Sequence, residues 1–170
     1  VGTFMFYTIK DDDQETTYPS GGDRICNRDF ADYLQTQIVE DIRQTMMPTW
    51  QKRHLMHQSM SETRNPKVPS TIIELLSHHN YYDMTFGLDP KFKFIASRAI
   101  YKGMLRFIHQ TTGTPYVVQP LPVQQMNISY ANNDSLHITW AERVDRLEPT
   151  ATPTYYIIYT RTSQLRDGQW

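Results

Sequence analysis

Glu74 is the residue of this chain whose type and surroundings most clearly point to chemistry. It stands in the run Val68-Pro69-Ser70-Thr71-Ile72-Ile73-Glu74-Leu75-Leu76-Ser77. That run reads as a buried strand, because strands apolar on both faces belong to the interior of an α/β sheet. A carboxylate there has to be paired, bound to metal or raised in pKa, since burying a bare charge is expensive. Open α/β folds bind ligands beyond the carboxyl ends of their central strands. Glu74 is therefore either a structural ion-pair partner of Arg64 or Arg98, or a catalytic acid/base.

Other residues offer weaker chemistry. His54 and His57 are three apart, which on a helix gives both one face. No third ligand lies at a matching spacing, so they read as surface histidines. His78 and His79 follow the Glu74 strand, where one could line a pocket or pack on Tyr81 or Tyr82. Tyr81, Tyr82 and Phe86 could stack on sugar rings, but the plainer expectation is a small satellite core. Cys26 lies at a helix start, where thiolates are stabilised, yet no partner motif accompanies it. Arg64, in Ser61-Glu62-Thr63-Arg64-Asn65-Pro66, is a surface loop arginine or a donor to a carboxylate or carbonyl.

Several elements must position these residues. Gly2 to Thr8 is aromatic and β-branched, hence a strand. Lys10 to Arg24 is a polar loop with turn chemistry at Pro19-Ser20-Gly21-Gly22. Phe30, Leu34, Ile38, Ile42 and Met46 recur every fourth residue, predicting an amphipathic helix from about 27 to 46. Asn27 or Asp29 would cap it, and Pro48 would end it. Residues 50–67 are polar and less regular. Asp89-Pro90 opens a second long helix with an N-cap and a proline in its first turn. Phe92, Ile95, Ala96, Ala99, Ile100, Met104, Phe107 and Ile108 form its expected buried stripe, and Gly103 within it suggests close packing on a sheet. From Gln110 the composition shifts through Thr- and Pro-rich sequence to an all-β pattern. Strands are expected at 123–130, 136–140 and 155–160, with a turn at 132–135. The division expected is 1–112, a linker at 113–121, and 122–170.

Bulk properties narrow the function classes. The chain has 170 residues and a formal net charge of -1, giving no electrostatic case for nucleic acid or anionic lipid. A single cysteine excludes an intrachain disulfide and a four-thiolate zinc site. No stretch approaches the ~20 apolar residues of a membrane span. There is no initiator Met and no signal-peptide pattern. We expect an internal piece of a longer protein.

Two resemblances bear on function. Residues from about 2 to 109 resemble the C-terminal half of the zinc-dependent N-acetylmuramoyl-L-alanine amidases of the family-3 type. Gly2-Thr3-Phe4-Met5-Phe6-Tyr7 loosely matches that family's Gly-x-x-x-Tyr-Tyr strand. Pro69-Ser70-Thr71-Ile72-Ile73-Glu74 matches its Pro-x-x-Leu-Val-Glu strand, and Ser77 to Asn80 its Ser-Asn loop. The family's Gly-Phe after the glutamate is replaced here by Leu75-Leu76. The resemblance implies a three-layer α/β/α hydrolase domain, partial here, with Glu74 as catalytic acid/base. Arg64, His78 and Asn80 would contact the substrate, peptidoglycan or another cell-wall glycan. It implies zinc as cofactor, with all three ligands upstream of Val1 in the parent polypeptide, so that the fragment alone is inactive.

The stretches Glu74-Leu75-Leu76-Ser77-His78, Tyr82-Asp83-Met84 and Gly87-Leu88-Asp89-Pro90 are similar to a subgroup of large exported bacterial proteins, labelled amidase or xanthan lyase. Those carry a fibronectin type III module after the hydrolase. Trp140, Tyr156 and Tyr159 resemble that module's core, so an immunoglobulin-like sandwich, cut after its first strands, is implied. The implied location is the periplasm or cell surface. The rival expectations are a non-catalytic glycan-binding module on a degenerate amidase fold, and a polysaccharide lyase. A lyase needs a Tyr or His base with an Arg or Asn against the uronate, in a layout this chain lacks.

Overall fold

The computed structural model describes residues 1–132 and 135–160. The chain divides into two compact units at Val117/Val118, inside the Thr- and Pro-rich stretch.

The first unit is mixed α/β. It runs β1 (Thr3–Tyr7), α1 (Cys26–Thr45), β2 (Lys52–His57), α2 (Ser61–Arg64), β3 (Ile72–Glu74), α3 (Tyr81–Leu88) and α4 (Pro90–Thr112). The sheet order is β2-β1-β3. β2 is parallel to β1 and β3 antiparallel to it. Alternation along β1 sorts its side chains. Met5 is fully buried, and Tyr7, Leu55 and Ile73 pack with it into the core formed by Leu34, Ile38 and Ile42 of α1. Phe4 and Phe6 point the other way, their ring centroids 4.6 Å apart. Neither ring joins the core that packs on α1.

Trp50 anchors the core's end. It is fully buried, donates Nε1–H to Thr3 Oγ1 at 2.9 Å and meets Phe86 and Phe92 at about 5.5 Å between centroids. Such aromatic packing contributes beyond area burial alone.

The two long helices fall where their apolar periodicity places them. Asp89 caps α4 by accepting Lys91 N–H at 2.8 Å, with Pro90 in its first turn. The cap of α1 differs from expectation: Ile25 is the N-cap residue and no side chain caps it. Asn27 is instead buried, donating to the Thr8 carbonyl and accepting from the Tyr18 hydroxyl, each at 2.6 Å. Its contribution to a loop network outweighs a cap.

Gly103 packs closely, but on α1 rather than on the sheet. A Cβ there would sit 2.9 Å from Leu34 Cδ2, 3.0 Å from Leu34 Cα and 3.2 Å from the Tyr33 carbonyl. Two of those atoms are backbone and cannot swing away. Gly103→Ala is expected to cost about 1–3 kcal/mol by forcing α1 and α4 apart, read as a lowered urea midpoint. An unchanged midpoint would show that the helices slide without strain.

Two sequence expectations change here. Residues 50–67, read as irregular, contain β2 and α2. β2 was hidden because it is an exposed edge strand whose residues, Lys52-Arg53-His54-Leu55-Met56-His57, are mostly polar. The ten-residue buried strand around Glu74 shrinks to the three residues of β3, half-buried at best.

The second unit's described residues include an antiparallel hairpin, β4 (Gln124–Asn132) with β5 (Ser135–Ala141). Residues 133 and 134 of the expected turn lie outside the described residues. Residues 155–160 form no strand, contrary to expectation, although Tyr156 packs its ring against Trp140 at 5.2 Å. A hairpin alone buries little, and Ile128 and Leu136 remain more than half exposed.

Candidate functional site

Glu74 ends β3 directly opposite Phe4 of β1. It therefore shares the uncovered sheet face with Phe4, and across β1 lies His54, whose ring is 6.1 Å from Phe4. The expectation of burial is corrected: Glu74 is exposed. It has no ion-pair or hydrogen-bond partner among the described residues. Pairing with Arg64 is ruled out by the register. Glu74 lies beside Phe4, whereas the α2 residue Thr63 hydrogen-bonds Thr8 through their hydroxyls. Four residues of extended chain separate those points, roughly 13 Å.

Arg64 therefore stands at the far end of the sheet. It pairs with Asp12 and donates Nη1 to Ser59 Oγ at 2.8 Å. Asn80 is committed to α3: its Oδ1 accepts Tyr82 N–H at 3.0 Å and Asp83 N–H at 3.3 Å. His78 is exposed, its ring 3.9 Å from that of His79. Of the three proposed substrate contacts, only His78 is both close to Glu74 in the chain and uncommitted.

The loop after Glu74 is tied down. Ser77 N–H donates to Asp83 Oδ2 at 2.8 Å. Phe86 points into the core, but Tyr81 and Tyr82 are 80% and 72% exposed. The expected satellite core does not form: Phe86 joins the main core, and both tyrosines stay in solvent.

His54 and His57 do not share a face. On a strand a spacing of three puts them on opposite sides: His54 meets Phe4, and His57 meets Tyr7 at 5.6 Å. Among the described residues no three His, Cys, Asp or Glu side chains are grouped to hold a metal ion. The residues present do not by themselves fit a zinc site.

Cys26 also departs from expectation. Its thiol pKa is pushed up, first by burial and then by the carboxylates of Asp29 and Asp23. These outweigh the helix start. A raised pKa lowers the thiolate fraction near neutral pH. Alkylation by iodoacetamide at about pH 8 is expected to be slower for the folded chain than for the same chain in urea. Equal rates would remove the argument.

Comparison with family models, curated proteins and solved structures gives no match. No helix among the described residues is long and apolar enough to cross a membrane. The described residues comprise a mixed α/β unit, in which Glu74 is exposed on the sheet face opposite Met5, and a β-hairpin.

Proposed function

We propose that this chain is part of a zinc-dependent cell-wall hydrolase that cleaves the amide between the muramyl lactyl group and L-alanine in peptidoglycan. The observation that carries this reading is the exposed, unpaired carboxylate of Glu74 on the sheet face that α1 leaves open. A carboxylate so placed can take a proton from an attacking water and return it to the leaving amine. One locked to an arginine would be a poorer base, because a neighbouring cation favours its charged form. The order of elements adds support: aromatic strand, amphipathic helix, Glu-bearing strand, Asn-capped loop, long helix.

In this reading the unit completes a three-layer hydrolase domain in the parent, and the hairpin begins a fibronectin type III module. Zinc, when bound, would supply Lewis acidity and an activated water. Its ligands are assigned to the parent sequence upstream of Val1. The parent is exported, to the periplasm or cell surface.

Zinc analysis and muropeptide hydrolysis of the purified parent test this. Bound zinc with release of L-alanyl peptides is the expected result. A second reading, a non-catalytic glycan-binding module, is favoured by the exposure of Tyr81 and Tyr82, since aromatic faces left in solvent mark interaction sites. A parent without zinc or turnover that still binds cell-wall glycan would replace the first reading with the second.

A further inference from the structure

β3 is too short to fix its own register. Three residue pairs join it to β1: Phe6 with Ile72, Met5 with Ile73 and Phe4 with Glu74. A shift of one residue would turn Glu74 toward the core and is opposed by the buried face. A shift of two residues keeps every side chain on its own face. Ile73 and Leu75 are both half-buried against the same core, so apolar contact alone would let Leu75 replace Ile73 opposite Met5. Glu74 would then lie opposite Phe6, about 7 Å along the sheet from its observed place.

One side chain supplies what the pairing lacks. Thr71, the residue before β3, donates its hydroxyl to the Phe6 carbonyl at 2.6 Å. A two-residue shift would carry Thr71 away from Phe6 and break that bond. Thr71 is held in turn through its neighbour. Ser70 N–H donates to Asn27 Oδ1 at 2.9 Å, and Ser70 Oγ donates to the Thr63 carbonyl at 3.1 Å. Asn27 and Thr63 are fully buried. Asn27 also donates to the Thr8 carbonyl at 2.6 Å, which ties this anchor to the end of β1. Hydrogen bonds among buried groups are expensive to break, because the partners left behind find no water. Downstream, the bond from Ser77 N–H to Asp83 Oδ2 lies past the last paired residue.

We infer that Thr71 is a positioning residue: its hydroxyl sets the β3 register that places the Glu74 carboxylate opposite Phe4. The catalytic consequence, though not the register itself, rests on the proposed acid/base role of Glu74.

Two substitutions separate the hydroxyl from the rest of the side chain. Thr71→Val keeps the β-branched shape and loses the hydroxyl, whereas Thr71→Ser keeps the hydroxyl and loses the methyl. In the isotope-labelled chain, Thr71→Val is expected to lose the interstrand nuclear Overhauser contacts of Phe4 with Glu74 and of Phe6 with Ile72. Thr71→Ser is expected to retain them, with unmoved amide resonances of α1 and α4 verifying the fold of both. In the parent, Thr71→Val should lower kcat about 10²-fold, the effect of roughly 1 Å of misplacement, with KM nearly unchanged. Thr71→Ser should rescue it. A packing role for Thr71 gives the opposite order, with Val tolerated and Ser defective. Interstrand contacts kept in Thr71→Val, or lost equally in Thr71→Ser, would overturn the inference, as would lost contacts with turnover intact. Contacts in the expected order beside a parent without turnover would uphold the register role and remove the hydrolase reading alone.

Discussion

Glu74→Gln in the intact parent is expected to lower muramyl-amide hydrolysis about 10²–10⁴-fold, the usual contribution of a positioned general acid/base. The change removes the proton acceptor and keeps the shape. Folding should be unaffected, because Glu74 is exposed and makes no ion pair or hydrogen bond among the described residues. The loss should fall on kcat with KM nearly unchanged, as for a group that acts in the transition state. The zinc content of the parent should stay the same, since Glu74 is assigned a proton-transfer role and no ligand role. Wild-type turnover in the Gln variant would make Glu74 a surface residue and sink the catalytic assignment. Lost turnover together with lost zinc would make it a metal ligand instead.

Lys102→Ala is expected to cost about 3–5 kcal/mol of stability, the largest structural effect of any single change proposed for this chain. Lys102 on α4 is fully buried, and its Nζ reaches both carboxylate oxygens of Asp41 on α1, at 3.0 and 2.8 Å. Gln37 donates to Asp41 Oδ1 at 2.9 Å. Removing the lysine takes the neutralising cation away from a buried carboxylate between two packed helices. The pair Asp41→Leu with Lys102→Met should recover most of the loss, because exchanging a whole buried ion pair for apolar side chains is often neutral or better. Urea unfolding of the single and double variants separates these outcomes. A Lys102→Ala cost below about 1 kcal/mol would mean that water reaches Asp41 and that the pair belongs to the surface class.

These two residues also show how far sequence reasoning reached. The α4 stripe was read from its apolar members, and Lys102 lies beside Gly103 in the same buried face. Nothing local marks a lysine as buried. Its partner is 61 residues away, and only the packing of α4 on α1 brings the two together. The polar loop of residues 10–24, which holds the Asp11-Asp12-Asp13 run, was legible as a loop. That Arg24 is buried over the Tyr18 ring and pairs with Asp11 was not, because the loop's shape follows from contacts with residues 64–66.

By itself the sequence determined the local elements whose physics is short-range. Apolar residues every third or fourth position specified α1 and α4, Asp89-Pro90 specified the start of α4, and alternating residues specified the β4–β5 hairpin. Periodicity and capping need no distant partner, so they can be read along the chain. The tertiary structure alone decided where strand residues face and what they meet. β2 is polar because it is an edge strand, and its pairing with β1 comes from backbone hydrogen bonds that carry no side-chain signature. The same holds for Glu74. Its apolar neighbours suggested burial, but β3 is a short edge strand, and pairing with Phe4 turns its carboxylate onto the open face.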